Sequence, residues 1–376
     1  MRRGADGGAA HRRPRAPGAR RGAVHALVAG AAGTRVPGRT RAGARHWILE
    51  RAAVAGGSGP LVGGVLTSTL GWRSIFLVNL PLGILGLFLT ARFIRPTPAG
   101  RSRSLDLPAQ LVAALSLGGV TWALVERAER GWGSPAILGA LLAGLLGLAL
   151  FARMESTAAE PMLPPRLFRH RTFATTSAGA LLYAAAFFGG FLVLSLYFQR
   201  VRGEPAALAG LHISAITVTF GVASIVGGKL AGRYGPRPTI LTGLLLLAVG
   251  AFGLSLGNPS TSFWFLGPLL SLLGFGAALV APPMNAAILA SVEPGLAGIG
   301  GGVLNASRQI GTALGVAVFA SLFVADRAPM RAVQLAMLGA SVLYLAAAAV
   351  VALGRPATRV VAAASMQAVP CGDRAR

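Results

Sequence analysis

The chain has 376 residues, of which 54% are hydrophobic and 12% charged, and it carries a formal net charge of +24. A soluble surface cannot cover a core of that proportion, so a water-soluble globular enzyme is excluded and lipid is the expected solvent. A large positive charge points to nucleic acid or anionic lipid only where it is clustered, so its position decides its meaning.

Residues 1–51 contain twelve of the 34 arginines and two acidic residues, and Ala, Gly, Pro and Arg fill 36 of these 51 positions. The run "AHRRPRAPGARRG" could meet a polyanion electrostatically, but no aromatic residue is interleaved for base stacking before Trp47. No nucleic-acid partner is expected. The four dominant residue types all have GC-rich codons, and the vocabulary changes abruptly where leucine-rich sequence begins. One reading is a disordered basic arm; the preferred one is a translated displaced frame or miscalled start. The run "AVHALVAGAAG" lacks the apolar core of a signal peptide, and the serine-free segment does not suit a transit peptide.

A hydrocarbon layer of ~30 Å takes about 20 apolar residues per helical crossing, and helices satisfy their own backbone where water is absent. Ten such runs lie near residues 52–70, 74–94, 107–127, 135–153, 173–198, 207–230, 239–257, 263–290, 298–323 and 333–354. They are continuous rather than alternating, which excludes a transmembrane barrel. The expected fold is therefore an all-α polytopic membrane helical bundle.

Short cytoplasmic loops collect cations. Alternate connections carry Arg92, Arg95, Arg101 and Arg103; Arg153, Arg166, Arg169 and Arg171; and Lys229, Arg233 and Arg237. Arg355, Arg359, Arg374 and Arg376 follow in the tail, whereas residues 257–262 are uncharged. A multi-pass protein of the cell membrane with both termini cytoplasmic is expected. Arg200, Arg202, Arg327 and Arg331 fall on the outer side, accompanied by Glu204 and Asp326.

The chemistry of catalysis is missing from the sequence. Cys371 is the single cysteine, and His11, His25, His46, His170 and His212 have no metal-ligand spacing. No glycine pattern ends in Gly-Lys-Ser/Thr, so no cofactor, metal or nucleotide site is expected. Arg308 lies well inside an apolar run, where a charge facing lipid costs ~2.5–3.5 kcal/mol. It is read as a gate residue, with snorkelling to the membrane surface as the alternative. Asn305 and Gln309 could hydrogen-bond to it or to a partner helix. Asn285, after Pro282 and Pro283, suggests a broken helix beside a cavity, or packing alone. Glu126 could titrate in a wet cavity; the favoured reading is that Glu126 and Glu129 pair with Arg127 and Arg130 at the outer surface, beside Trp122 and Trp132. Tyr183, Phe187, Tyr197 and Phe198 could line an aromatic pathway or pack against helices. In "GGSGPLVGG", Gly56, Gly59, Gly63 and Gly64 would let a neighbouring helix approach and Pro60 would bend the rod.

The order of those residues, Gly-Pro and then Gly-Gly two residues later, resembles the antiporter signature in the fifth helix of major facilitator drug:proton antiporters. "GWRSIFLVNLPLGILGLFL" is similar to the approach to the family's sixth helix. "LDLPAQLVAAL" resembles the start of the extra central pair of the fourteen-helix branch. "LYFQRVRGEPAALAGL", which contains Gln199, is similar to that branch between the ninth and tenth helices. "GGKLAGRYGPRP" looks like the second copy of the cytoplasmic loop signature, with Gly228, Arg233, Gly235 and Arg237 in place and Gly232 where an Asp often stands. "GVLNASRQIGTALGVAVFASLF" is similar to the thirteenth helix. Together these cover residues 54–354.

The resemblance implies a major facilitator bundle in which two helical halves rock about a midplane site and inward protons drive export of drugs or other small amphipathic molecules. It also implies that the chain lacks the family's first four helices, with their proton-linked residues. The implied organisation is a basic segment 1–51, part of the first bundle at 52–94, a central pair with its loops at 95–172, a six-helix second bundle at 173–354 and a cytoplasmic tail at 355–376. The alternatives are a non-transporting membrane fragment and a basic-arm protein binding anionic lipid or nucleic acid.

Overall fold

A computed structural model describes residues 59–93, 106–158, 166–293, 296–325 and 328–354. The basic segment 1–51, Gly56 and the tail 355–376 lie outside the described residues. Residues 76–93 belong to one compact unit, and the remaining described residues to another.

All regular elements among the described residues are helical: α1 Gly59–Leu70, α2 Arg73–Leu77, α3 Asn79–Phe93, α4 Leu107–Arg130, α5 Pro135–Thr157, α6 Arg166–Arg169, α7 Arg171–Leu196, α8 Ala206–Tyr234, α9 Pro236–Ser255, α10 Phe263–Ser291, α11 Ala297–Ala325 and α12 Pro329–Ala352. A π-helical turn, Tyr197–Val201, extends α7. Nine segments of the described residues are long and apolar enough to cross a membrane. The tenth expected span, 52–70, is described only over the twelve residues of α1. Its first part, 52–58, is outside the described residues. In the second span the helix is interrupted at Val78; Pro81 has no N–H to offer the carbonyl of Leu77.

Proline opens α5, α9 and α12, at positions whose N–H would have no helical partner anyway. Asp106 caps α4, its carboxylate accepting from the Ala109 N–H at 3.1 Å. Between α8 and α9 the chain reverses at Gly235, whose φ is 93°. Only glycine adopts that backbone freely, so Gly235→Ala should cost about 1–3 kcal/mol, read as a lower unfolding midpoint in detergent.

Two sets of helices organise the larger unit. α7 lies against α11 and α12, while α10 lies against α8 and α9; α9 also touches α12, and α4 pairs with α5 and reaches α11. Apolar surface gains nothing from leaving lipid, so contact in a bilayer relies on close backbone approach at small residues. Gly311 and Gly315 meet the carbonyls of Leu181 and Ala185, and Gly274 and Gly227 meet those of Ile216 and Ala278. Gly243 and Gly276 face each other's carbonyls, a Cβ on either standing 2.7 or 2.8 Å away.

The broken helix expected at Pro282–Pro283 is not formed: α10 runs through Pro268, Pro282 and Pro283 without a break. Two adjacent prolines remove the N–H groups that would bond the carbonyls of Ala278 and Leu279. The fully buried Ala277–Val280 segment is packed closely by Gly227 and Gly243, which keeps the helix continuous through this loss.

Candidate functional site

Three aromatic residues at four-residue spacing share one face of α7. Tyr183 stacks on Phe187 with ring centroids 5.6 Å apart, and Phe187 and Phe191 follow at 6.4 Å. Tyr344 of α12 meets Tyr183 at 6.4 Å. Phe187, Phe191 and Tyr344, with Ile216, Leu273 and Met337, line a narrow apolar cleft among α7, α8, α10 and α12. Its free space is about that of one water molecule. This conformer is therefore closed to a drug-sized ligand at that point. Of the four aromatic residues read from sequence, Phe187 lines this cleft; Tyr183 packs against Phe187 and Tyr344, and Tyr197 and Phe198 lie elsewhere, beyond the end of α7.

Arg308 donates from Nη2 to the carbonyl oxygen of Ala281 at 3.0 Å. Asn285 donates from Nδ2 to the same oxygen at 3.2 Å. The structure thus brings these two expected residues to one carbonyl, immediately before the Pro282–Pro283 pair. The Arg308 Nε is buried and has no hydrogen-bond partner among the described residues. Arg308 is half-buried and turned to α10, whereas Asn305, Gln309 and Asn285 are exposed. Among the described residues no hydrogen bond joins Asn305 or Gln309 to Arg308.

The other expected residues are dispersed. Glu126 pairs with Arg130 at 3.0 Å, one helical turn apart on the last turns of α4. Arg127 takes a different partner from the one expected, donating to the buried Ser321 hydroxyl of α11 and lying 4.8 Å over Trp132. Ser321 sits on the helix facing α4, and a guanidinium reaches it without leaving the helix end. Gln199 is exposed and donates to the Ser195 hydroxyl at 2.8 Å.

In the expected gating loop, Arg237 donates to the Ala352 carbonyl, binding the start of α9 to the end of α12. Arg233 lies 5.3 Å over the Tyr234 ring, and Gly228 faces open space. Among the described glycines of the signature helix, Gly64 alone makes the expected close approach: a Cβ there would stand 2.7 Å from the Ala206 carbonyl of α8. Gly59 and Gly63 face open space. Pro60 lies in the first described turn of α1, and the residues whose carbonyls its missing N–H would leave unbonded lie outside the described residues.

One group was not singled out from sequence as a site. Glu204 accepts from Arg202 Nε at 2.7 Å and holds His212 Nδ1 at 2.8 Å. Arg202 also donates to the Thr261 carbonyl at 2.7 Å. The Tyr197 hydroxyl, and then Glu204, hold the Arg202 guanidinium above its ordinary pKa against the opposing effect of burial. The sequence signal was the spacing Arg202-x-Glu204 with His212 two helical turns further on.

The major facilitator superfamily model matches residues 21–316 and 180–368. The chain belongs to the major facilitator superfamily. Among the relatives of this major facilitator chain, the methylenomycin A resistance protein of Streptomyces coelicolor is 38% identical over 267 residues, covering 70% of this chain and 56% of that protein. The multidrug resistance protein Stp of Mycobacterium tuberculosis is 34% identical over 274 residues, covering 73% and 51%. The tetracenomycin C resistance and export protein of Streptomyces glaucescens is 31% identical over 271 residues, covering 70% and 49%. The chain spans about half the length of the curated relatives it matches. Family membership makes it a multi-pass membrane protein of a transporter family rather than an enzyme, with lipid as its surroundings.

Proposed function

We propose that the chain exports small amphipathic molecules, by the alternating access of its family and at the expense of an inward proton gradient. The observation that carries this reading is Arg308 at the Ala281 carbonyl, close to the aromatic face of α7. It lies roughly 17 Å along a helix of roughly 43 Å, near the midplane, where transporters of this type bind substrate. A charged side chain at such a depth is retained at a cost of ~2.5–3.5 kcal/mol, which favours a functional use over a packing one. The aromatic cleft offers apolar surface to the body of the ligand, and the guanidinium with Asn285 offers polar contacts. The names of the three relatives, all resistance or export proteins, support drug-like compounds as the substrate class.

The Arg-rich connections support an orientation with α7 starting, and α12 ending, on the cytoplasmic side. Protons as the coupling ion follow from the resemblance of the signature helix to antiporters.

The test is dye efflux from cells expressing residues 1–376, with and without a protonophore. Export that collapses when the proton gradient is dissipated is the expected result. Export unaffected by the protonophore would overturn proton coupling, and an inserted protein with no export would establish the non-transporting reading instead.

A further inference from the structure

At the end of the bundle opposite Arg237 and Ala352, three segments meet around the Glu204–Arg202 pair. Glu204 follows the π-helical turn of α7, His212 lies two turns into α8, and Thr261 belongs to the link between α9 and α10. The Glu204 and His212 side chains are only 10% and 16% exposed, so this is not a surface ion pair screened to insignificance. The His212 ring stacks on Phe263 at 4.4 Å and meets Phe198 at 5.0 Å. Around it, Tyr197 donates to the Asn258 carbonyl at 2.9 Å and Gln334 of α12 to the Gly257 carbonyl at 3.0 Å.

We propose that Glu204 and His212 form a proton-binding site whose loading draws together the ends of α7, α8 and α10 at this face. An ionised Glu204 can only accept, so neutral His212 carries its hydrogen on Nδ1 and leaves Nε2 as a free base. A proton taken from solvent at Nε2 turns the ring into a cation without breaking the Nδ1–H bond. The neutral bond to Glu204 becomes a charge-assisted one, and the rings of Phe263 and Phe198 face a cation rather than a neutral imidazole.

Among the described residues the charged groups around the pair are few. Arg202 opposes the new charge but shares Glu204 and is itself tied to the Thr261 carbonyl; Tyr197 lies 6.0 Å beneath its guanidinium. Arg200 is exposed on the π-turn, the link 256–262 has no charged residue, and Arg331 of α12 takes no part in the cluster. Glu204 is thus the carboxylate that answers both cations, and protonating His212 tightens the contact. In the proposed orientation this face is the outer one, so a proton arriving from outside would seal the outer end.

The experiment is hydrogen–deuterium exchange of the full chain in lipid nanodiscs, corrected for the intrinsic pH dependence of amide exchange. Peptides covering 197–212 and 256–264 should become at least about threefold better protected as pH falls from about 8 to about 5, the range of imidazole switching. His212→Gln keeps a donor to Glu204 but cannot charge, and should lose this pH response while remaining protected near pH 8. An unchanged response in His212→Gln, or protection that falls on acidification, overturns the proposal. If His212→Gln does not fold, the ring NMR shifts of His212 in the wild-type chain decide: titration over this range supports the site, and a constant shift overturns it. Because the readout is exchange and not efflux, failure here leaves the transport reading untouched.

Discussion

Gly315→Leu is expected to pull α7 and α11 apart and to lower stability by at least about 3 kcal/mol, beyond the usual range for an overfilled core. A Cβ at Gly315 would meet the Ala185 carbonyl oxygen, with the Ala185 Cα at 2.5 Å and the carbonyl carbon at 2.6 Å. From the other side, a Cβ at Gly189 would come within 2.7 Å of the Gly315 oxygen. These obstacles are backbone, and a helix in lipid cannot swing its backbone aside as a long side chain swings its tip. The control lies on the same helix. A Cβ at Gly302 would have no neighbour within 4 Å, so Gly302→Ala should gain up to about 1 kcal/mol from helix propensity. Heating each variant in detergent and measuring the monodisperse fraction gives the comparison: a large loss for Gly315→Leu and none for Gly302→Ala. Equal midpoints for Gly315→Leu and the unmodified chain would refute close packing at this crossing.

The same contrast explains what was readable in the sequence. Apolar length needs no knowledge of neighbours, so nine of the ten expected spans are present among the described residues as helical segments long and apolar enough to cross a membrane. The tenth rested on small residues, and small residues say only that something can come close. Gly64 found the α8 backbone, while Gly59 and Gly63 found nothing. The Pro282–Pro283 pair was expected to break α10 because proline removes local hydrogen bonds; tertiary packing by Gly227 and Gly243 overrides that local effect. Arg308 was legible because charge within an apolar run is conspicuous. Its acceptor was not, since the Ala281 carbonyl carries no residue signature. The Glu204 cluster was hidden for a similar reason: Thr261 and Asn258 contribute backbone oxygens, and the aromatic ring over His212 comes from α10.

Arg308→Ala should reduce export at least about tenfold while leaving stability within about 1 kcal/mol of the unmodified chain, because two terms of similar size cancel on removal. Keeping a guanidinium at the proposed midplane depth costs ~2.5–3.5 kcal/mol, and its hydrogen bond to the Ala281 carbonyl returns about 1.5–3 kcal/mol. A residue kept for packing would not show this balance, since deleting it would lower stability and export together. Arg308→Lys sharpens the test. Lysine keeps the charge but replaces a planar fork with a single point donor, so it cannot hold the Ala281 carbonyl and present a second donor edge at the Arg308 Nε position at the same time. Export by the lysine variant should therefore stay well below that of the unmodified chain even where insertion and midpoint are normal. Efflux rates set against unfolding midpoints for the three proteins decide the matter. Parallel loss of both quantities in Arg308→Ala would make this arginine a structural residue, whereas lost export at a constant midpoint places its cost in the service of transport.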